Sequence, residues 1–291
     1  ERGSLEAWID EETKAGWYAE ASPVQGAPQI YADLAIQAML LVKKVFHLPL
    51  RSMQGFMQSF ARLAHLSLRI PDYTTVSRRA KELSVVLEKT RKEKTILVID
   101  STGAKLYGEG EWKVRQHGAS KRRTWKKIHI AIDEHGEPRA TEITGNDVHD
   151  SEVAKALLEE EDACIQSLIG DGGYDKHPVY ALCERYGIDD VRIPPQKNVK
   201  IWWHGNTKGS PHPRDVNLRS IRKIGRAKWK ETIVYHLRSL VESTMFRWKT
   251  ILGDRLLFRS WPNQVTETKI SALILNRMFH LGMPETEAVA V

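Results

Sequence analysis

Residues 95–100 read Thr95-Ile96-Leu97-Val98-Ile99-Asp100, a short apolar run that ends in a carboxylate. A continuous apolar run of this length predicts a strand buried on both faces. A second run, Leu168-Ile169-Gly170-Asp171, ends the same way. Strands of this kind belong to an α/β sheet, and an acid at the end of one lies at the rim, where open sheets bind ligands. Working outward, residues 95–193 alternate strand and helix patterns. Strands are expected at about 95–100, 126–133, 137–144, 167–171 and 190–193, and helices at about 150–159 and 176–186. Asp133-Glu134-His135-Gly136 suits a hairpin between the second and third strands. Three antiparallel strands followed by strand–helix alternation make a mixed sheet, and several α/β folds fit that order.

Downstream lies a helical pattern carrying Tyr235, Arg238, Glu242 and Lys249, a Y-x2-R-x3-E-x6-K spacing. At about 100° per residue these four fall within an arc of roughly 60°. Leu237, Leu240, Val241, Trp248 and Ile251 are expected to form the core-facing stripe. A carboxylate, two cations and a phenol on one polar edge suit the handling of a phosphate beside a metal ion. Asp100, Asp171 and Glu242 together offer the oxygen ligands for two divalent cations, which clamp the attacking and leaving oxygens of an in-line phosphoryl displacement. Mg²⁺ suits such a set because it prefers carboxylate and water oxygens.

Three motifs carry a family resemblance: Asp100 in V-I-D-S-T-G, Asp171 in I-G-D-G-G-Y-D, and Glu242 within the four-residue signature. With them the chain resembles the DDE transposases of bacterial insertion sequences, and among these the insertion-sequence-five group. R-G-S-L-E-A-W-I-D-E, Y-A-D-L-A-I-Q-A, P-L-R-S-M-Q-G-F and P-D-Y-T-T-V-S-R-R-A-K extend the resemblance over roughly residues 2–281. It implies an α/β catalytic core with a ribonuclease-H-like mixed sheet flanked by helices. The implied enzyme cuts double-stranded DNA at the terminal inverted repeats of an element. It then joins the 3′-hydroxyl to target DNA, using two Mg²⁺ or Mn²⁺ ions per site held by Asp100, Asp171 and Glu242. Synapsis of two ends implies a homodimer, and the expected location is the bacterial cytoplasm, at the nucleoid. Two rival readings are a domesticated protein that binds DNA without cutting it, and a structure-specific nuclease on the same fold. The complete triad argues against the first and the signature spacing against the second.

The expected organisation is a helical, helix-turn-helix-like DNA-binding region over 1–91, the catalytic domain over 92–281 and a tail over 282–291. Helices are expected at 31–46, at about 51–66 and, capped by Asp72 or Thr74, through about Leu87. The third places Arg78 and Arg79 in its first turns, as a recognition helix would; a solvated basic face of a small bundle is the plainer alternative. Between the fifth strand and the signature helix, about 194–229, an irregular basic insertion is expected, with Trp202, Trp203, Arg222 and Lys223. A second basic stretch, Lys113 to Lys127, includes Lys121, Arg122 and Arg123. Cations interleaved with aromatics suit a nucleic-acid channel, and a flexible surface loop is the alternative in both places. The net charge of +7 permits such binding.

Each site residue has a plainer role beside the chemical one. Asp100 could cap a turn. Asp175 rivals Asp171 but is expected to cap the next helix, while Gly172 and Gly173 allow close approach to a metal or phosphate. Asp133 is expected to be a turn residue. Glu242 could pair with Arg238 one turn away. Arg238 and Lys249 suit phosphate, and Tyr235 suits a base or phosphate or a sealed rim. His149 suits either a DNA contact or a helix cap. His129, Trp125 and Trp248 are expected to be structural, and Cys164 and Cys183 to be packed, reduced thiols. No signal peptide and no apolar run of membrane-spanning length is present. The chain begins at Glu1 rather than Met, which leaves its native start open.

Overall fold

The structure, a computed structural model, describes residues 8–20, 29–87, 94–106, 125–161, 164–202 and 211–282. Within these, the chain forms α1 (Glu11–Ala15), α2 (Asp33–Val45), α3 (Leu50–Leu63), α4 (Tyr73–Arg79), β1 (Lys94–Leu106), β2 (Trp125–Ile132) and β3 (Pro138–Gly145). It continues with α5 (Asp150–Glu159), β4 (Cys164–Ile169), α6 (His177–Arg185), β5 (Asp190–Arg192), α7 (Pro213–Ile224) and α8 (Arg226–Thr232). The last elements are α9 (Arg238–Leu252), β6 (Arg255–Leu256) and α10 (Trp261–His280). Two compact units result: Glu1–Glu88 with Leu256–Val291, and Lys89–Arg255.

In the first unit, α2 is buried on most of its circumference, from Ala35 through Val42 and on to Lys43 and Lys44. The Lys44 Nζ donates to Glu267 Oε1 at 2.9 Å, and Glu267 Oε2 accepts from the backbone N–H groups of Leu257 and Phe258. A buried charge costs stability unless it is paired and hydrogen-bonded, and here both conditions are met. The amphipathic α3 buries Met53, Met57 and Ala61, one per turn. The carboxylate of Asp72 caps α4 by accepting from Thr74 N and Thr75 N, as expected. This helix stops at Arg79, short of the expected Leu87. Beyond it Leu83, Val85 and Leu87 are buried while Ser84 and Val86 are exposed, a period of two that fits extended chain. The final helix, α10, belongs to this unit, not to the catalytic region as its sequence position suggests. Its Thr266 hydroxyl donates to Ala80 O at 2.6 Å, and its Asn263 amide to Ser77 O at 3.2 Å.

The second unit is built on a mixed sheet of order β3-β2-β1-β4-β5, with β6 pairing β1 off that path. The first three strands pair antiparallel, and β4 and β5 add parallel to β1. This is the ribonuclease-H-like arrangement expected from the resemblance. At the β2–β3 turn, Asp133 Oδ1 accepts from the N–H groups of His135 and Glu137. Gly136 supplies the positive φ of 86°. Its carbonyl accepts from Thr244 Oγ1, which ties α9 to the hairpin tip. The core beneath α5 and α6 gathers Leu97, Ile99, Leu157, Leu168, Val179 and Val191.

Three expectations about this unit need correction. Strand β1 does not end at Asp100 but runs to Leu106, because β2 continues to pair with it through Lys105↔Trp125. Residues 194–229 are not irregular: α7 and α8 occupy much of that range. Nor are Trp125 and Cys164 packed; both are exposed, whereas Trp248 and Cys183 are buried. Among the described residues no helix is long and apolar enough to cross a membrane.

Candidate active site

The register of β1 against β4 sets Asp100 beside Asp171. Val98 pairs with Ile169 in parallel, and each acid lies two residues beyond that rung. Side-chain alternation keeps Asp100 on the face of Val98, while Asp171 follows the end of β4 as the cap of a 3-10 turn, near enough for its charge to act on Asp100. The parallel partner ends here even though β1 goes on, so the rim reading of Asp100 holds on the β4 side. Asp100 Oδ1 accepts from Ser101 N, and Asp171 Oδ1 from Gly173 N, both at 2.8 Å. The smallness of Gly173 serves that second bond, since a Cβ there would stand 2.9 Å from the same oxygen.

Glu242 comes to this pair from α9. Its core stripe is Val241, Thr244, Met245, Trp248 and Leu252, with Leu237, Leu240 and Ile251 only half-buried. The first signature residue is not in the helix: Tyr235 lies in a 3-10 turn, Tyr235–Leu237, that precedes it. Val234, at φ 57°, aims that turn, and a β-branched residue in this region is strained. As a result Tyr235 is buried, and its hydroxyl donates to Gly170 O at 3.1 Å. Burial pushes its pKa up to about 12. The expected DNA contact at Tyr235 is therefore corrected: the ring seals the floor beside Asp171.

Arg238, first residue of α9, stands between two of the three carboxylates. Its Nη2 donates to Asp100 Oδ2 at 2.8 Å, and its Nη1 to Glu242 Oε1. Burial works against its charge, but Asp100, Tyr235 and Glu242 outweigh this and raise its pKa. Burial raises the pKa of Asp100 from its ordinary value, and the charges of Asp171 and Glu242 add to the rise. The Ser101 N–H and Arg238 act in the opposite direction without cancelling the rise. An acid left incompletely compensated is one that a further cation would relieve.

Among the described residues no three carboxylate, imidazole or thiolate groups stand as a ready-made metal-ligand set. The chemistry of the donors nonetheless fits a hard divalent cation, since all three are carboxylates and the charges of Asp171 and Glu242 both act on Asp100. Two of the three, Asp100 and Glu242, are engaged by Arg238. Lys249 is exposed on the same helix.

The rival residues take structural roles. Asp175 does not cap α6; it is buried and forms a bidentate pair with Arg214, Nε to Oδ1 at 2.6 Å and Nη2 to Oδ2 at 3.1 Å. Arg214 also lies 4.0 Å from the Trp202 ring centroid, and its Nη1 donates to Lys200 O. No local signal in the sequence separates Arg214 from the other cations of its run. The expected nucleic-acid role of Trp202 gives way to this packing, for the His177 ring stacks on it at 3.5 Å. His129 is buried with Nε2 against Thr144 Oγ1. His149 occupies the N-cap position of α5, its N–H donating to Glu152 Oε1 at 3.2 Å.

The expected DNA contacts divide in a similar way. Arg79 is tied to Tyr31 O and Asp33, which corrects its assignment as a DNA contact, while Arg78 is exposed. Lys127 pairs with Asp150. Arg222 and Lys223 are exposed on α7, and Arg222 donates to Val199 O. Lys121, Arg122, Arg123 and Trp203 lie outside the described residues.

A mixed sheet flanked by helices carries Asp100 on β1 and Asp171 just past the end of β4, with Glu242 on α9, an arrangement open to more than one class of α/β protein. Comparison with known families narrows this. A family described as "Transposase DDE domain" matches residues 91–277, and a second model of the same description matches residues 1–109. The chain belongs to the DDE transposase family. Among solved structures it is similar to the Drosophila P element transposase strand transfer complex, at 10% identity and a TM-score of 0.31. That likeness covers 94% of this chain and 66% of the other.

Proposed function

We propose that this protein is the transposase of a bacterial insertion sequence of the insertion-sequence-five kind, with Tyr235, Arg238, Glu242 and Lys249 as its signature. In this reading it binds the terminal inverted repeats of its element, cleaves DNA there and joins the 3′-hydroxyl to target DNA. The observation that carries the reading is the parallel register bringing Asp100 and Asp171 near one another, with Glu242 reaching Asp100 through Arg238. DDE transposases as a family use divalent metal ions. Here Asp100, Asp171 and Glu242 would hold Mg²⁺ or Mn²⁺, as two ions per site. Such ions supply Lewis-acid activation of the attacking oxygen and charge stabilisation of the leaving one.

The chain's own residues do the positioning. Ser101 N–H and Gly173 N–H fix one oxygen each of Asp100 and Asp171, while Arg238 holds the second oxygen of Asp100. Tyr235 holds the backbone of Gly170 and so the level of Asp171. Lys249 and Arg238 suit phosphate, the first as a point charge and the second as a fork. Arg78, Arg222 and Lys223 are exposed cations that would add phosphate contacts in this reading. Synapsis of two ends calls for a homodimer, and the place of action is the bacterial nucleoid.

The test is cleavage of labelled duplex carrying the element's flanking ends. Asp100→Asn is expected to bind the ends as the wild type does and to leave them uncut in Mg²⁺. Undiminished cutting by that variant would remove Asp100 from the site. End binding by the wild type without cutting under any divalent ion would favour a protein that only binds DNA.

A further inference from the structure

The guanidinium of Arg238 uses the same carboxylate oxygens that the proposed metal site needs. Asp100 Oδ1 is taken by Ser101 N, so Oδ2 is its outward ligand atom, and that is the atom Arg238 Nη2 holds at 2.8 Å. Arg238 Nη1 holds Glu242 Oε1 in the same way. Glu242 is 57% exposed at its side chain, and among the described residues Arg238 is the partner that restrains it. The arginine itself is incompletely satisfied: its Nε is buried and makes no hydrogen bond among the described residues. Its side chain is 25% exposed, so one edge of it already faces solvent. A guanidinium and a divalent cation are alternative partners for Asp100 Oδ2 and Glu242 Oε1, and both cannot occupy the space between them.

We propose that Arg238 is the resident counter-cation of this carboxylate group, and that it exchanges with a divalent cation by swinging onto a phosphate of bound DNA. The inference rests on the reading of Asp100, Asp171 and Glu242 as the metal-holding set. It makes cation loading and DNA engagement assist one another: DNA gives the displaced guanidinium an anionic partner, and the cation frees it to take that partner. By linkage, DNA tightens cation binding by the factor with which the cation tightens DNA binding. Couplings of this kind are on the order of tenfold.

The experiment is Mn²⁺ titration calorimetry on the full chain, without and with a duplex carrying the element's end. The proteins are the wild type, Arg238→Met, Arg238→Gln, Lys249→Met and Asp100→Asn. Without DNA, both Arg238 variants are expected to bind Mn²⁺ about tenfold more tightly than the wild type. Lys249→Met removes a charge from the same helix without vacating the carboxylates, and its gain is expected to be much smaller. DNA is expected to tighten Mn²⁺ binding to the wild type and to leave the Arg238 variants little changed. Mn²⁺ binding to the Arg238 variants that is no tighter than wild type, or a gain matched by Lys249→Met, would overturn the exchange while leaving the site assignment intact. Unaltered Mn²⁺ binding by Asp100→Asn would instead overturn the site assignment, and the exchange with it. Arg238→Gln keeps hydrogen-bonding capacity and serves if the methionine variant fails to fold.

Discussion

At the scale of single residues, His129 gives the plainest pH signature. Its Nδ1 is buried without a hydrogen-bond partner among the described residues, and burial lowers its pKa from 6.5 to about 4. The folded chain thus keeps the imidazole neutral where the unfolded chain protonates it. Between pH 6.5 and about 4 the unfolded state binds more protons, so stability falls as pH falls, by up to about 3 kcal/mol. Urea denaturation at pH 7 and pH 4.5 should show a smaller drop for His129→Gln than for wild type; equal drops would mean the ring carries no such penalty. Tyr235→Phe leaves Gly170 O without its donor and should cost about 1 kcal/mol, with DNA affinity unchanged. A large loss of DNA affinity at unaltered stability would restore Tyr235 as a DNA contact. Sequence made the identities of Asp100, Asp171 and Glu242 legible as candidates, because strand-end acids and a one-faced helix follow from local periodicity. It did not disclose that Tyr235 points inward, since that depends on the left-handed turn at Val234, a conformation a β-branched residue does not advertise.

At the scale of elements, the Asp175–Arg214 pair braces α7 against the loop that carries Asp171. Both side chains are almost fully buried, so removing one partner leaves the other charge uncompensated. Arg214→Met should destabilise by about 3–5 kcal/mol, and Asp175→Leu in the same chain should recover much of that. A double-mutant cycle from thermal melts measures it; additive losses would show that the two residues do not act as a pair. The basic run of 214–230 reads in sequence as a uniform stretch of cations. Only its partner, 39 residues upstream, distinguishes Arg214 from the exposed Arg222 and Lys223. The strands were more legible than this segment, because buried strands repeat apolar residues locally. The extension of β1 past Asp100 was not, for its polar residues are held by pairing with β2.

At the scale of the whole chain, the first unit is closed by the last helix. A chain ending at Arg255 should lose hydrogen-exchange protection in α2, α3 and α4 while β1–β4 stay protected, because α10 supplies Glu267 to Lys44 and Thr266 to the end of α4. Protection of α2 in that shortened chain would show that the N-terminal helices stand without it. Sequence order places α10 after the catalytic elements and cannot show that the chain returns to its first unit; that closure is a long-range contact with no local signal. The central claim, that Asp100, Asp171 and Glu242 form a metal-dependent strand-transfer site, meets its most direct test in joining of a pre-cleaved element end to target DNA. The assay compares wild type, Asp100→Asn, Asp171→Asn and Glu242→Gln in Mg²⁺, in Ca²⁺ and in EDTA. Joined product from the wild type in Mg²⁺ alone, with end binding retained by all four proteins, is the predicted result. Joining that persists in EDTA, or in any of the three variants, would contradict it.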